Sequence, residues 1–352
     1  MDAFSSPRYD VIFRSARCRV DGCPGPRLVR FIQAATSSID CSIYDFRYVH
    51  ALAAMRAAVR RGCRVRIAFD AGTQAATPQG ADPKPPTTVD ALREHGLLQY
   101  ARSIRRTSNS YLHHKFMIRD GSAVWTGTGN FTEGAFALQD NNFLIARSVL
   151  LARRYQEDFN VVWSMPTSDP LVPQALSAAR MADSRGILVR PFFEPKAGLR
   201  IEDAIARALT RASKVRVMAF EMSDPVIMTA LERFAGAEAD IRGIYDINGM
   251  KGAVARVKPL DPKLYWWYLG DARFVGVKSH PFGVLNNGLN DFHHNKTMIL
   301  DDHLVITGSY NFSKHAETNN EDMLFIRSRA VAAAYTRYFR RMFQHYVASG
   351  GQ

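Results

Sequence analysis

Two stretches of this 352-residue chain run through the same succession of segments. SSIDCSIYDF, from Ser37, has a counterpart in ASKVRVMAFE, from Ala212. RVRIAFDAG, from Arg64, returns as DIRGIYDING, from Asp240, which sets Asp70 and Asp246 176 positions apart. All four runs are rich in β-branched and aromatic residues and read as strands. Helical patterns precede them near residues 27–35 and 201–212, and YDVIF and ILVRPFF open the two series. Each series closes on a helix. Tyr155, Phe159 and Trp163 return as Tyr335, Phe339 and Phe343, at the spacing of one helix face, which marks core packing. Strands alternating with helices predict an α/β fold with each sheet covered on both faces. Two equivalent halves predict a pseudo-two-fold arrangement. The expected division is 1–165, a linker over 166–185, and 186–352. Residues 71–92 and 247–292 read as insertions bordering one cleft, the first a mobile loop rich in Gly and Pro.

Charge narrows the partners. The net charge is +13, carried by thirty-six arginines and only ten lysines. Such a balance favours a polyanion, either nucleic acid or an anionic membrane surface, and arginine suits bidentate phosphate contacts. With 47% apolar and 22% charged residues, the chain is not wholly disordered. No apolar run reaches the roughly 18 residues of a membrane span. MDAFSSPRYDVIF has no charged-then-apolar leader, so a cytoplasmic location is expected. Cys18, Cys23, Cys41 and Cys63 lack the spacing of a zinc site and are expected as free thiols.

The repeat also carries a polar motif. HHKFMIRDGSAVWTGTGN starts at His113 and HNKTMILDDHLVITGSYN at His294; both fit H-x-K-x4-D-x6-G-[ST]-x-N. Strand alternation points His113 and Lys115 to one side, and likewise His294 and Lys296. Thr128 and Asn130, and Ser309 and Asn311, project similarly from the neighbouring strands. Two such patches brought together suit a phosphorus centre. Lysines and asparagines would stabilise its non-bridging oxygens. One histidine would attack phosphorus while the other protonates the leaving oxygen.

Both motifs resemble the HKD signature of the phospholipase D superfamily, and the duplicated layout extends the resemblance over nearly the whole chain. The tail TGSYNFSKHAETNNEDMLFI, from Thr307, is particularly similar to bacterial endonucleases of that superfamily. The resemblance implies two repeats, each a mixed β-sheet flanked by helices, with the active site between them. It implies a covalent phosphohistidine, with His113 as nucleophile and His294 as general acid and base. Lys115, Lys296, Asn130 and Asn311 would bind phosphate. Asp120 and Asp301 would be structural, with Thr128 and Ser309 in support. A downstream carboxylate would fix each histidine's tautomer, Glu321 in the second half and Asp140 in the first. No metal or other cofactor is implied. Both halves lie on one chain, so dimerisation is not required.

The superfamily acts on phosphodiesters of nucleic acids and of phospholipids. The charge favours nucleic acid, with Arg102, Arg105 and Arg106 gripping flanking phosphates. Trp266 and Trp267, within Tyr265–Tyr268, would stack unpaired bases. The favoured expectation is a metal-independent nuclease hydrolysing DNA or RNA. The alternative is a phospholipase D or phosphatidyl transferase acting on phospholipid head groups, its Trp and Tyr side chains at a lipid interface.

Overall fold

The computed structural model describes residues 4–14, 22–74, 86–104, 110–165, 181–182, 187–195, 200–234, 239–281, 285 and 289–350. The first half contributes β1 (Phe4–Ser5), β2 (Tyr9–Phe13), β3 (Ser38–Ile43), β4 (Arg64–Asp70), β5 (Ala101–Ile104), β6 (Lys115–Arg119), β7 (Ala123–Gly127) and β8 (Asn142–Arg147). The second contributes β9 (Met181–Ala182), β10 (Leu188–Glu194), β11 (Lys214–Ala219), β12 (Asp240–Asp246), β13 (Phe274–Val277), β14 (Lys296–Leu300), β15 (Leu304–Gly308) and β16 (Glu321–Arg327). The strand orders are β1-β2-β8-β7-β6-β3-β4-β5 and β9-β10-β16-β15-β14-β11-β12-β13. In each sheet the strands from β3 to β5, or β11 to β13, run parallel; every other pairing is antiparallel. The fold is therefore mixed α/β, and one topology is used twice.

Helices cover both faces. α1 (Pro24–Gln33), α2 (Val49–Arg60), α3 (Thr88–Glu94) and α4 (Glu133–Ala137) belong to the first half, whose last helix is α5 (Val149–Ser164). α6 (Ile201–Leu209), α7 (Pro225–Glu232), α8 (Ile247–Arg256) and α9 (Pro262–Tyr265) belong to the second, which ends in α10 (Arg329–Ala348). Leu28, Leu52, Met55 and Leu92 pack α1 to α3 on one outer face, with Trp125 beneath them. Ile205, Met228 and Met250 pack α6 to α8 on the other. Between the two sheets lie α5 and α10. Tyr155 and Phe159 share one apolar cluster with Tyr335 and Phe339, and Val11, Leu144, Val189 and Leu324 add side chains from both sheets. The repeated aromatic stripes thus form the seam between the halves.

Several expectations change. The stretch 247–292 is not an insertion, because its β13 completes the second sheet as β5 completes the first. The described end of the loop over 71–92 begins α3, which Thr87 and Asp90 close with reciprocal capping hydrogen bonds; residues 75–85 lie outside the described residues. The linker range contributes the two-residue β9, and 166–180 and 183–185 lie outside the described residues. Cys23 is disulfide-bonded, against the expected free thiol. It is the residue preceding α1 at its N-terminus, whereas Cys41 and Cys63 are free and buried in the core. Cys18 lies outside the described residues. No helix among the described residues is long and apolar enough to cross a membrane. Because Phe159 fills the seam, Phe159→Ala should cost about 3–5 kcal/mol in denaturant unfolding. Loss should be visible in both halves, not confined to the first.

Candidate active site

Each histidine stands two residues before the inner strand of its half and is held by the chain of the other half. Asp70, at the end of β4, accepts from the Leu112 amide at 2.7 Å. Asp246, at the end of β12, accepts from the His293 amide at 2.9 Å. The His113 amide then donates to the Asn320 carbonyl, and the His294 amide to the Asp140 carbonyl, both at 3.0 Å. These reciprocal bonds cross between the halves. Asp70 and Asp246 were detectable only as aligned residues of the repeat.

The side chains follow the same symmetry. His113 lies against Tyr44 and His294 against Phe220, with ring centroids 5.2 and 5.3 Å apart. Lys115 Nζ donates to the His113 carbonyl at 2.6 Å, and Lys296 Nζ to the His294 carbonyl at 2.8 Å. Both lysines are fully buried. The amide oxygens of Asn130 and Asn311 are buried with no hydrogen-bond partner among the described residues.

The symmetry breaks at Nδ1. His113 Nδ1 lies 2.8 and 2.9 Å from the two carboxylate oxygens of Glu321, in the opposite half. His294 Nδ1 lies 3.1 Å from Asn141 Oδ1, again across the seam. Strand register makes these residues equivalent, because Gly127 faces Phe143 and Gly308 faces Met323. Asn141, not Asp140, is therefore the counterpart of Glu321. Thr128 Oγ1 donates to Asn141 Oδ1 at 2.9 Å, as Ser309 Oγ does to Glu321 at 2.5 Å. Asp140 instead pairs with Arg14 at 2.6 Å and meets His293 Nδ1 at 3.1 Å. The next residue repeats the exchange of acid for amide. Buried Asp322 accepts from Thr126 at 2.7 Å and Tyr155 at 2.8 Å. Buried Asn142 accepts from Thr307 at 3.0 Å and Tyr335 at 2.8 Å.

Electrostatics bind these groups into one site. Burial and the charges of Lys115 and Lys296 push His113 well below the ordinary histidine value. Burial, Lys296, Lys115 and His113 do the same to His294. Burial lowers Lys115 to about 8, against the pull of Glu321. Burial and Lys115 lower Lys296 well below its ordinary range. Burial pushes Glu321 up to about 8, against Lys115 and the hydroxyl of Ser309. The site is thus desolvated, with both imidazoles and both lysines held below their ordinary values and Glu321 above its own.

The motif aspartates do a different job. Asp120 and Asp301 sit in the turns after β6 and β14, with φ of +51° and +50°, a region rare for side-chain-bearing residues. Asp120 accepts from the backbone amides of Thr36, Ser37 and Ser38. Asp301 accepts from those of Ser213 and Lys214. Each ties its turn to the entry of the inner parallel strand, far from the histidines along the strand.

The residues expected to grip nucleic acid are used elsewhere. Arg102 donates to the Trp163 and Met165 carbonyls, closing the C-terminus of α5. Arg105 and Arg106 lie outside the described residues. Trp266 is buried against Tyr265, and Trp267 packs edge-on to Phe274, with ring centroids 4.7 and 5.3 Å apart. The aromatic run packs on the outer face of the second sheet, with Trp266 and Tyr268 buried and Tyr265 and Trp267 half-buried. Among the described residues, no group of three His, Cys, Asp or Glu side chains is arranged to hold a metal ion.

A family model described as cardiolipin synthase, PLD-like domain, matches residues 28–163 and 201–343. A mitochondrial cardiolipin hydrolase of Xenopus laevis is 30% identical over 149 residues, which cover 40% of this chain and 65% of that protein. A phospholipase D of Rickettsia felis is 30% identical over 146 residues, 41% of this chain and 63% of that one. The matches thus span a little under two thirds of these relatives. Among solved structures, a phosphatidylserine synthase of Haemophilus influenzae shares the fold with a TM-score of 0.67 at 12% identity, over 98% of this chain and 88% of that chain. A polyphosphate kinase of Porphyromonas gingivalis gives 0.60 at 11%, over 96% and 47%.

One test addresses the turns. Burial raises the Asp120 carboxyl, but the backbone amides of Ser38, Ser37 and Thr36 outweigh it and hold the group at about 2. Its stabilisation is therefore complete above the unfolded value near 4 and is lost as pH falls through about 2. Asp120→Ala should lower unfolding free energy by about 1–3 kcal/mol at neutral pH. The deficit should shrink when both proteins are unfolded near pH 2.

Proposed function

We propose that this chain, which belongs to the phospholipase D-like domain family, is a phosphodiesterase that hydrolyses or transfers phospholipid head groups through a covalent phosphohistidine. The observation that carries the chemistry is the meeting of two histidines and two buried lysines at the seam. The substrate class draws support from the relatives, named for cardiolipin and phospholipase D. A nucleic-acid substrate has weaker support, since Arg102, Trp266 and Trp267 are engaged in the fold. The charge of +13 serves an anionic lipid surface equally well.

The exchange of Glu321 for Asn141 assigns the two histidines. Glu321 accepts the Nδ1 proton of His113, which leaves the Nε2 lone pair facing the cavity. Nε2 attacks phosphorus, the bond to the leaving alcohol oxygen breaks, and the carboxylate offsets the charge left on the ring. Lys115, Lys296, Asn130 and Asn311 hold the non-bridging oxygens. His294, hydrogen-bonded to a neutral amide, gains no such charge stabilisation and gives up its proton readily. The bound phosphodiester supplies the negative charge that lets His294 carry that proton. It passes to the leaving oxygen, and His294 then takes a proton from water or an acceptor alcohol. That oxygen attacks phosphorus, the P–N bond breaks, and His113 returns neutral.

Purified wild type, His113→Ala and His294→Ala should be offered cardiolipin and phosphatidylcholine vesicles beside single-stranded DNA, double-stranded DNA and RNA, with EDTA present. Head-group release by wild type, reduced at least about 10³-fold in both variants, is expected. A protein carrying a covalently bound phosphatidyl group should accumulate in His294→Ala and not in His113→Ala. Nucleic-acid cleavage with lipid untouched would overturn the lipid reading.

The pH profile tests the assignment separately. Glu321 must be ionised, so kcat/KM should rise as pH approaches about 8. Lys115 must be protonated, so kcat/KM should fall above about 8. Glu321→Gln should lower kcat by about 10²–10⁴-fold and abolish the rising limb while keeping the falling one. An unchanged rising limb would remove Glu321 from its role.

A further inference from the structure

The outer face of the second sheet holds a second cavity, of 520 Å³, between β10, β16, the turn joining β14 to β15, and α6. It lies at the Leu300 end of β14, about 13 Å of strand from the Lys296 end that carries the candidate site. Its floor is apolar, formed chiefly by Phe192, Leu300, Leu304 and Phe325. Its walls carry Arg190, Arg207, Arg211 and Arg327, with His303 Nε2 3.1 Å from an Arg327 guanidinium nitrogen. Arg190 lies over the Phe192 ring, 4.8 Å from its centroid. The cavity's one carboxylate, Asp301, is already occupied by the Ser213 and Lys214 amides. Among the described residues, no carboxylate lies within ion-pair distance of Arg207, Arg211 or Arg327, all of them exposed.

The first half provides an internal control. Asp10 faces Ile145 in the first sheet as Arg190 faces Phe325 in the second, and Arg147 is the counterpart of Arg327. In the first half Asp10 pairs with Arg147 at 2.6 Å and Arg27 at 2.9 Å. Trp125 fills the space beneath α1, where the second sheet has Ile306. The second half has thus replaced the acid by another cation and the indole by a smaller side chain. The carboxylate that pairs with Arg147 in the first half therefore has no counterpart beside Arg327. The size falls within the range of ligand cavities, and an apolar floor beneath guanidinium groups matches a phosphate attached to an apolar body.

We propose that this cavity is a second ligand site, which binds the phosphate of an anionic amphiphile with its apolar part on the phenylalanine floor. The choice of a lipid over free phosphate rests on the reading of the chain as a phospholipid enzyme; the site itself does not. Calorimetry on the wild-type chain with dihexanoylphosphatidic acid, which is not a phosphodiester, tests it, with inorganic phosphate in a parallel arm. The amphiphile should bind in two saturable events, at the active site and at the cavity. Arg207→Glu/Arg211→Glu removes the charge, and Ala208→Trp fills the space at constant charge. Each should weaken one event by at least about tenfold and leave hydrolysis of a soluble short-chain phosphatidylcholine unchanged. Inorganic phosphate should bind the cavity at least about tenfold more weakly than the amphiphile. Unaltered binding in both variants overturns the site, and equal affinity for inorganic phosphate overturns the amphiphile. Neither result bears on head-group release, which is read separately.

Discussion

Everything at the seam depends on one arrangement, in which the histidine of each half is oriented by a side chain of the other. His113 has its Nδ1 acceptor in Glu321 and His294 in Asn141, and backbone bonds from His113 to Asn320 and from His294 to Asp140 set the crossing. Neither half contains a finished site. The helices between the sheets serve this arrangement as well as the core. Tyr155 and Tyr335 bury their rings in the shared cluster and give their hydroxyls to Asp322 and Asn142, next to the two acceptors. Packing and orientation are carried by the same residues, so the histidines cannot move without disturbing the core.

Burial decides the charge state. Loss of solvent, and then the charges of the two lysines, hold both imidazoles well below the ordinary histidine value. The same burial lowers both lysines and raises Glu321, so the charge states of all five groups are set together by the seam that encloses them.

The duplication, the strands and both motifs could be read from the residues, because repeated strand patterns and a full motif leave little freedom. The partner of each histidine could not. Asp140 stands as far beyond Asn130 as Glu321 does beyond Asn311, yet the segment from Asn130 to Asn142 is one residue longer than its counterpart from Asn311 to Asp322, and only ladder register reveals the offset. Nor does sequence tell which half supplies the partner. Arg102, Trp266 and Trp267 carried the right chemistry for nucleic acid, but side-chain direction is set by packing. A helix C-terminus and an outer sheet face claimed them.

Glu321 and Asn141 occupy one position of the repeat with different chemistry. In an assembly of two identical chains, any change at that position would be made twice, and both histidines would gain or lose the carboxylate together. Joining the copies in a single polypeptide removes that restriction. Each copy can then be altered alone, so that one histidine of the pair faces a carboxylate and the other an amide.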